Sequence, residues 1–308
     1  MASPTPLSKA NTTFSLALLK KFGDDDKTAN IFYSPFSISS ALAMVMLGAR
    51  GNTATQMSEC LKTKDCQDDV HVSFAQLLSE LNKAGAPYAL SVANRLYGEQ
   101  SYQFDEGDVD SLSRLVLVNA MYFKSDWNRQ FQQYATRDAQ FRLNKNDTKP
   151  VKMMHQRTRF PFSDIPNAKC KLEKQLTYEN FMEWTRPDMM DNVEVQVGLP
   201  RFKMEESYDM KEVLVSMGMV DAFDMAKSDL SGMSPANDLV VSKVVHKAFV
   251  EVNEEGTEAA AVTGPIMRLL CGSIMCPPMF IADHPFLFFI RHNSSMSILF
   301  AGRCCSPE

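Results

Sequence analysis

The apolar positions change period partway along the chain. In "MASPTPLSKANTTFSLALLKKFG", Phe14, Leu16, Leu18 and Leu19 are spaced as on a helix that packs against a core. "SPFSISSALAMVMLGARGNTATQMSECL" opens on a Ser-Pro helix start, keeps helical apolar spacing and carries Gly48 and Gly51 as a stop. "VHVSFAQLLSELNKAG" predicts another amphipathic helix, ending at Gly85. The period then becomes two. "YALSVANRLYG", "SRLVLVNAMYF", "NVEVQVGLPRFKM", "LVVSKVVHKAFVEVN" and "HPFLFFI…SMSILFAG" read as strands. Several are apolar on both faces, as in the middle of a large sheet covered on both sides. "DMKEVLVSMGMVDAF" interrupts them as a short helix. With no repeat and no long linker, the pattern predicts a single α+β domain over residues 1–308, built on a large sheet.

A chain of 308 residues, 45% hydrophobic and 22% charged, is long enough for a sizeable core. The net charge of -5 gives no general attraction to nucleic acid. Residues 124–159 run basic, with nine Lys/Arg against three Asp, but the charges are scattered and read as a solvated strand-and-loop face. No apolar run approaches the length of a membrane span. The N-terminus has no apolar stretch after a basic start, so the expectation is a cytoplasmic protein, released from cells only by an unconventional route. Seven cysteines, an odd count with no CxxC pair, favour reduced thiols.

Catalytic motifs are missing from this text. There is no GxSxG, HExxH, P-loop or GxGxxG pattern, and His71, His155, His246, His284 and His292 have no metal-ligand spacing. Cys271 has no base near it in sequence. The reading is not an enzyme, with no cofactor and no metal. One segment remains unexplained. "VEVNEEGTEAAAVTG" leaves a strand at Val252 and enters a run too small-sided for a core and too apolar for an ordinary loop.

Four stretches together carry a family resemblance: "NIFYSPFSISSALAMVMLGARGNTATQM", "LVLVNAMYFKSDW", "VVHKAFVEVNEEGTEAAAVTG" and "FIADHPFLFFIRHNSSMSILFAGR". The chain resembles a serpin of the ovalbumin-type intracellular clade. The resemblance implies a large mixed central β-sheet with further sheets and a helical N-terminal part. It also implies a reactive loop, over 254–281, offered as bait to serine proteases. Cleavage lets that loop enter the central sheet as an added strand, and serpins are among the handful of proteins generally cited for such strand addition. The hinge would be Glu254, Glu255, Gly256, Thr257, Glu258, Ala259, Ala260 and Ala261. Thr257, Ala259, Ala261 and Thr263 share one face at period two, and such small side chains enter a packed sheet without a large cavity opening first. Loop length puts the scissile bond at Leu270–Cys271, suiting apolar pockets of elastase or chymotrypsin type, while Arg268 is the alternative for a trypsin-like enzyme. By the same resemblance, Ser34, Ser37, Asn119 and His246 match a polar cluster beneath the sheet opening, and Trp127 the aromatic at its top. The expected state is a monomer at risk of polymerising.

The text departs from the family at two joins. After "SVANRLYGEQSYQF" the family continues through a helix, an edge strand and the helix lying across the central sheet; here "DEGDVDSLSRLVLVN" follows at once. After "IPNAKC" the family has two buried strands of its second sheet; here "KLEKQLTYENFMEW" follows. Both read as whole segments excised. Their loss exposes backbone edges and apolar faces, and the alternative expectation is a non-inhibitory, serpin-like variant that is cleaved as a substrate or acts through partners. Pro265, lacking an N–H, weakens the far half of an inserted strand.

Overall fold

The computed structural model of the protein describes residues 4–66, 69–83, 88–98, 115–164, 172–255 and 277–307. Helix α1 (Pro6–Asp25) begins where the Thr5 hydroxyl accepts a hydrogen bond from the Ser8 amide at 3.1 Å. After strand β1 (Ile31–Tyr33), helix α2 (Pro35–Gly48) starts in the same way: Ser34 Oγ accepts from the Ser37 amide at 3.1 Å, and Pro35 fixes the first turn. Both flanks of α2 are apolar, and Phe36, Ile38, Ala41, Leu42 and Val45 are fully buried. Gly51, with φ of +53°, supplies the left-handed residue between α2 and α3 (Gly51–Cys60). Helix α4 (Val70–Leu81) completes the helical part.

The remaining elements are β2 (Tyr88–Gly98), β3 (Leu115–Ser125), β4 (Arg137–Arg142), β5 (Thr148–Phe162), α5 (Leu172–Gln175), α6 (Tyr178–Trp184), β6 (Asp191–Pro200), β7 (Phe202–Asp209), α7 (Lys211–Ser216), β8 (Val241–Val252), β9 (Met279–Ile281), β10 (Phe286–His292) and β11 (Ser297–Cys304). Among the described residues the strands, β1 included, form three sheets, in the orders β1-β11-β10, β2-β3-β8-β7 and β4-β5-β6-β9. The second is the central sheet and is mixed: β3 and β8 run parallel, while β2 and β7 flank them antiparallel.

One strand expectation is corrected. "NVEVQVGLPRFKM" is two strands in two sheets, with the break at Pro200 and Arg201. Pro200 has no N–H to continue a ladder, and the Arg201 amide donates to Lys152 O at 2.8 Å as the chain crosses over. The central sheet is also not covered on both sides throughout. Tyr122, on the outward face of β3, is exposed and stacks on Phe249 of β8 with ring centroids 5.7 Å apart.

The core lies on the inner face of the central sheet. Phe32, Phe36, Phe300, Met121, Phe202, Ala248 and Val250 pack between that sheet and β1-β11-β10, and α1, α2 and α3 cover a second cluster around Phe14, Leu18 and Leu42. Each of the larger side chains among them contributes roughly 1.5–3 kcal/mol through burial. The basic stretch behaves as a solvated face, with exposed pairs Lys152–Asp138, Arg157–Glu194 and Arg142–Asp283 along β4 and β5.

Candidate functional site

The inner face of the central sheet is largely apolar, and a polar row crosses it. Asn94, Asn119, His246 and Tyr208 are register partners across β2, β3, β8 and β7, so four polar side chains cross the sheet in line. The chain from β1 into α2 meets them one by one. The Phe32 amide donates to Tyr208 Oη at 3.1 Å, the Ser34 amide to His246 Nε2 at 3.0 Å, Asn119 Nδ2 to Ser37 O at 3.1 Å, and Asn94 Nδ2 to Ser40 Oγ at 3.1 Å. Asn119 Nδ2 also donates to Ser37 Oγ at 2.5 Å and to Asn94 Oδ1. Ser34 Oγ, besides capping α2, donates to Leu299 O at 2.7 Å.

These partners fix the tautomer of His246. Its Nε2 accepts from the Ser34 amide, so the proton sits on Nδ1 and is donated to Asn119 Oδ1. The ring is fully buried, and burial pushes its pKa down to about 3, which keeps it neutral. The Asn119–His246 bond is a side-chain hydrogen bond that spans the parallel seam between β3 and β8.

Ladder pairing across that seam runs from Leu115↔Val241 to Tyr122↔Phe249 and stops there, although β3 continues to Ser125 and β8 to Val252. The mouth above is bridged by side chains. Trp127 Nε1 donates to Asn253 O at 2.8 Å, and its ring meets Phe131 edge-on at 5.5 Å. Beside it, the Glu254 carboxylate is buried, although its backbone lies at the end of a strand. Arg201 reaches Oε2 through Nε and Nη2, each at 2.5 Å, and Thr136 Oγ1 donates to Oε1 at 2.5 Å. Burial alone would raise the Glu254 pKa; the Arg201 and Thr136 hydrogen bonds outweigh it and hold the carboxyl below its usual range. Gln130 donates to Glu255 O at 2.9 Å and Gln133 to Glu255 Oε1 at 3.2 Å. Under the mouth lies an apolar cavity of about 330 Å³, walled by Phe123, Trp127, Phe202, Val250, Phe286 and Phe288 among others.

The structure thus brings Ser34, Ser37, Asn119 and His246 together, and puts Trp127, Glu254 and Glu255 together at the far end of β8, roughly 20 Å up the strand at about 3.3 Å per residue. Gly256, Thr257, Glu258, Ala259, Ala260, Ala261, Arg268, Leu270 and Cys271 lie outside the described residues. Asn94, Ser40 and Tyr208 in the row, and Arg201 and Thr136 on Glu254, belong to the site without having been picked out from sequence. Asn94 alone carried a local signal, as a polar residue on the inward, apolar period of its strand.

Fold and site together define an α+β protein whose mixed central sheet has a latched parallel seam, with a strand leading from that seam straight into the next segment. The model of the family described as "Serpin (serine protease inhibitor)" matches residues 9–107, 103–172 and 165–307. The chain belongs to the serpin family. It is 44% identical to the leukocyte elastase inhibitor of Equus caballus over 380 residues, covering 98% of this chain and 99% of the relative, and 45% identical to Serpin B6 of Macaca fascicularis over 377 residues, with the same coverage. Uncleaved ovalbumin superposes with a TM-score of 0.85 at 29% identity, covering 98% of this chain and 100% of ovalbumin. Alignments that long against a 308-residue chain require internal gaps, and the family matches break and resume at residues 103–107 and 165–172. Both joins expected from the sequence are there: two internal segments of the family are missing.

Proposed function

We propose that the protein inhibits serine proteases of elastase or chymotrypsin type by offering the reactive loop, residues 254–281, as bait and then taking the cleaved loop into the β3–β8 seam. The observation that carries this reading is the seam itself. A segment that follows β8 and folds back between β3 and β8 runs antiparallel to both, so one parallel pair is replaced by two antiparallel pairs. Glu254, at the end of β8, anchors the point where that fold-back begins, and the pairing of β3 with β8 already ends before their tips. Entry requires the Asn119–His246 bond to part, while Asn119 keeps Asn94 and Ser37, and His246 keeps the Ser34 amide. About ten added backbone hydrogen bonds, at roughly 1 kcal/mol net each, drive the step. Leu270–Cys271 is the proposed scissile bond, with Arg268 as the site for a trypsin-like enzyme.

The family description and the leukocyte elastase inhibitor relatives support this class of target. The free thiols Cys60, Cys304 and Cys305 suit a reducing, cytoplasmic setting. The second reading, a substrate-like variant that never traps its protease, is favoured by the exposed Tyr122–Phe249 face of the central sheet. Incubation with elastase, chymotrypsin and trypsin, followed by a denaturing gel and intact masses, separates the two. A heat-stable adduct with a released C-terminal peptide beginning at Cys271 is expected; cleavage near Leu270 with no adduct would leave the second reading standing.

A further inference from the structure

β10 is a strand with two apolar faces and one neighbour. It pairs with β11 through Phe286↔Cys304 to His292↔Ser297, and among the described residues no strand pairs with its other edge. Phe286, Phe288 and Ile290 face the central sheet, where Phe288 lies against Gly302 so closely that a Cβ there would stand 2.4 Å from the ring, and Phe202 meets Phe288 at 5.5 Å. Leu287 and Phe289 face the helices, with Phe289 edge-on to Phe181 of α6 at 5.0 Å. Every residue of β10 is nonetheless only half-buried. The 330 Å³ cavity touches Phe288 and Phe289, which lie on opposite faces, so it runs along the strand's free edge.

An unpaired edge this apolar is a template for another strand. Polar side chains or a covering helix usually block such an edge, and among the described residues β10 has neither over Phe286–Ile290. At its far end stands Arg291. That guanidinium is half-buried, with a pKa lowered by burial; its hydrogen bonds go to Thr185 Oγ1 at 3.0 Å and Thr185 O at 3.5 Å, and among the described residues no carboxylate pairs with it. The relatives carry additional residues at the 165–172 join, the point in the chain just before α5 and α6, and α6 packs beside β10 through Phe181.

We infer that the free edge of β10 is a strand-complementation site. Its occupant is an extended peptide segment of a partner chain, apolar on both faces, that hydrogen-bonds along Phe286–Ile290, fills the cavity with alternate side chains and sets an acidic group against Arg291. Both faces of the added strand must be apolar because both faces of β10 are, and Arg291, bonded among the described residues only to Thr185, sets the charge at one end.

The test uses the full chain and a synthetic peptide spelling the residues that the horse leukocyte elastase inhibitor carries at this join, bearing one photo-cross-linking phenylalanine. The expected result is one-to-one binding, cross-links within Phe286–His292, and a blue shift of Trp127 emission, since Trp127 borders the cavity. The same peptide N-methylated at alternate residues keeps its side chains but loses its donors, and is expected not to bind. Arg291→Glu is expected to weaken binding roughly tenfold. Cross-links to β3 or β8 would put the peptide in the seam instead and overturn the inference, as would binding indifferent to N-methylation. It is equally overturned by no binding at all, or by a dimer in which β10 cross-links to β10 of a second copy.

Discussion

Acidification should loosen this protein well before its carboxylates titrate, and His246 is the reason. In the folded chain its pKa is pushed down to about 3 by burial, while an exposed histidine titrates near 6.5. The unfolded chain therefore binds more protons between those values, and folding stability falls as the pH drops below about 6.5. For a single group with these two constants, moving from about pH 7 to about pH 5 costs about 2 kcal/mol, against a total of about 5–15 kcal/mol for a typical domain. The shift of His155, lowered by burial and by Arg137, acts in the same direction, so the wild type alone does not isolate the effect. Glu254 acts below this window, because its depressed pKa gives stability that is lost only as the pH falls past the ordinary glutamate value. His246→Gln separates the terms: an amide can accept from the Ser34 amide and donate to Asn119, yet carries no proton to gain. Urea unfolding of both proteins at the two pH values is the assay, and the wild type should lose about 2 kcal/mol more than the variant. Equal pH dependence in the two would refute the assignment of a buried, neutral His246 at the seam.

Other expected outcomes follow from the same geometry. Glu254→Gln keeps the shape but weakens the bonds to Arg201 and Thr136, and should lower stability by about 1–3 kcal/mol in urea unfolding while hastening cleavage of the loop by added protease. Thr257→Arg or Ala259→Arg puts a long charged side chain on the inward face of the proposed inserting strand; the adduct should disappear from the denaturing gel while cleavage persists. Leu270→Arg should move the preferred cleavage from elastase or chymotrypsin to trypsin, read as relative rates with the masses of the released peptides. Cys271→Ser should leave adduct formation unchanged; loss of the adduct in that variant would give the thiol itself a part in trapping.

Strand positions were legible where alternation was local. "YALSVANRLYG" is β2 residue for residue, and the Ser-Pro start of α2 is a true cap because Ser34 serves both the helix and the sheet. The change of sheet at Pro200 was not legible, since alternation continues through it and only the Arg201–Lys152 backbone bond reveals the turn. In the site, the polar cluster was reachable through its resemblance to a family motif. Its logic as a row was not, because register between strands far apart in the chain cannot be read from either one. Arg201 and Thr136 are ordinary surface residue types in sequence and join the site only when the third sheet brings them to Glu254.

The most direct measurement is the thermal midpoint of the chain before and after its loop is cut by elastase. If the loop enters the β3–β8 seam, about ten new hydrogen bonds worth roughly 10 kcal/mol should raise the midpoint by about 20 °C or more. An unchanged or lower midpoint after complete cleavage would contradict the account, because it would mean that the seam, latched by Asn119 and His246, never opens to take the strand.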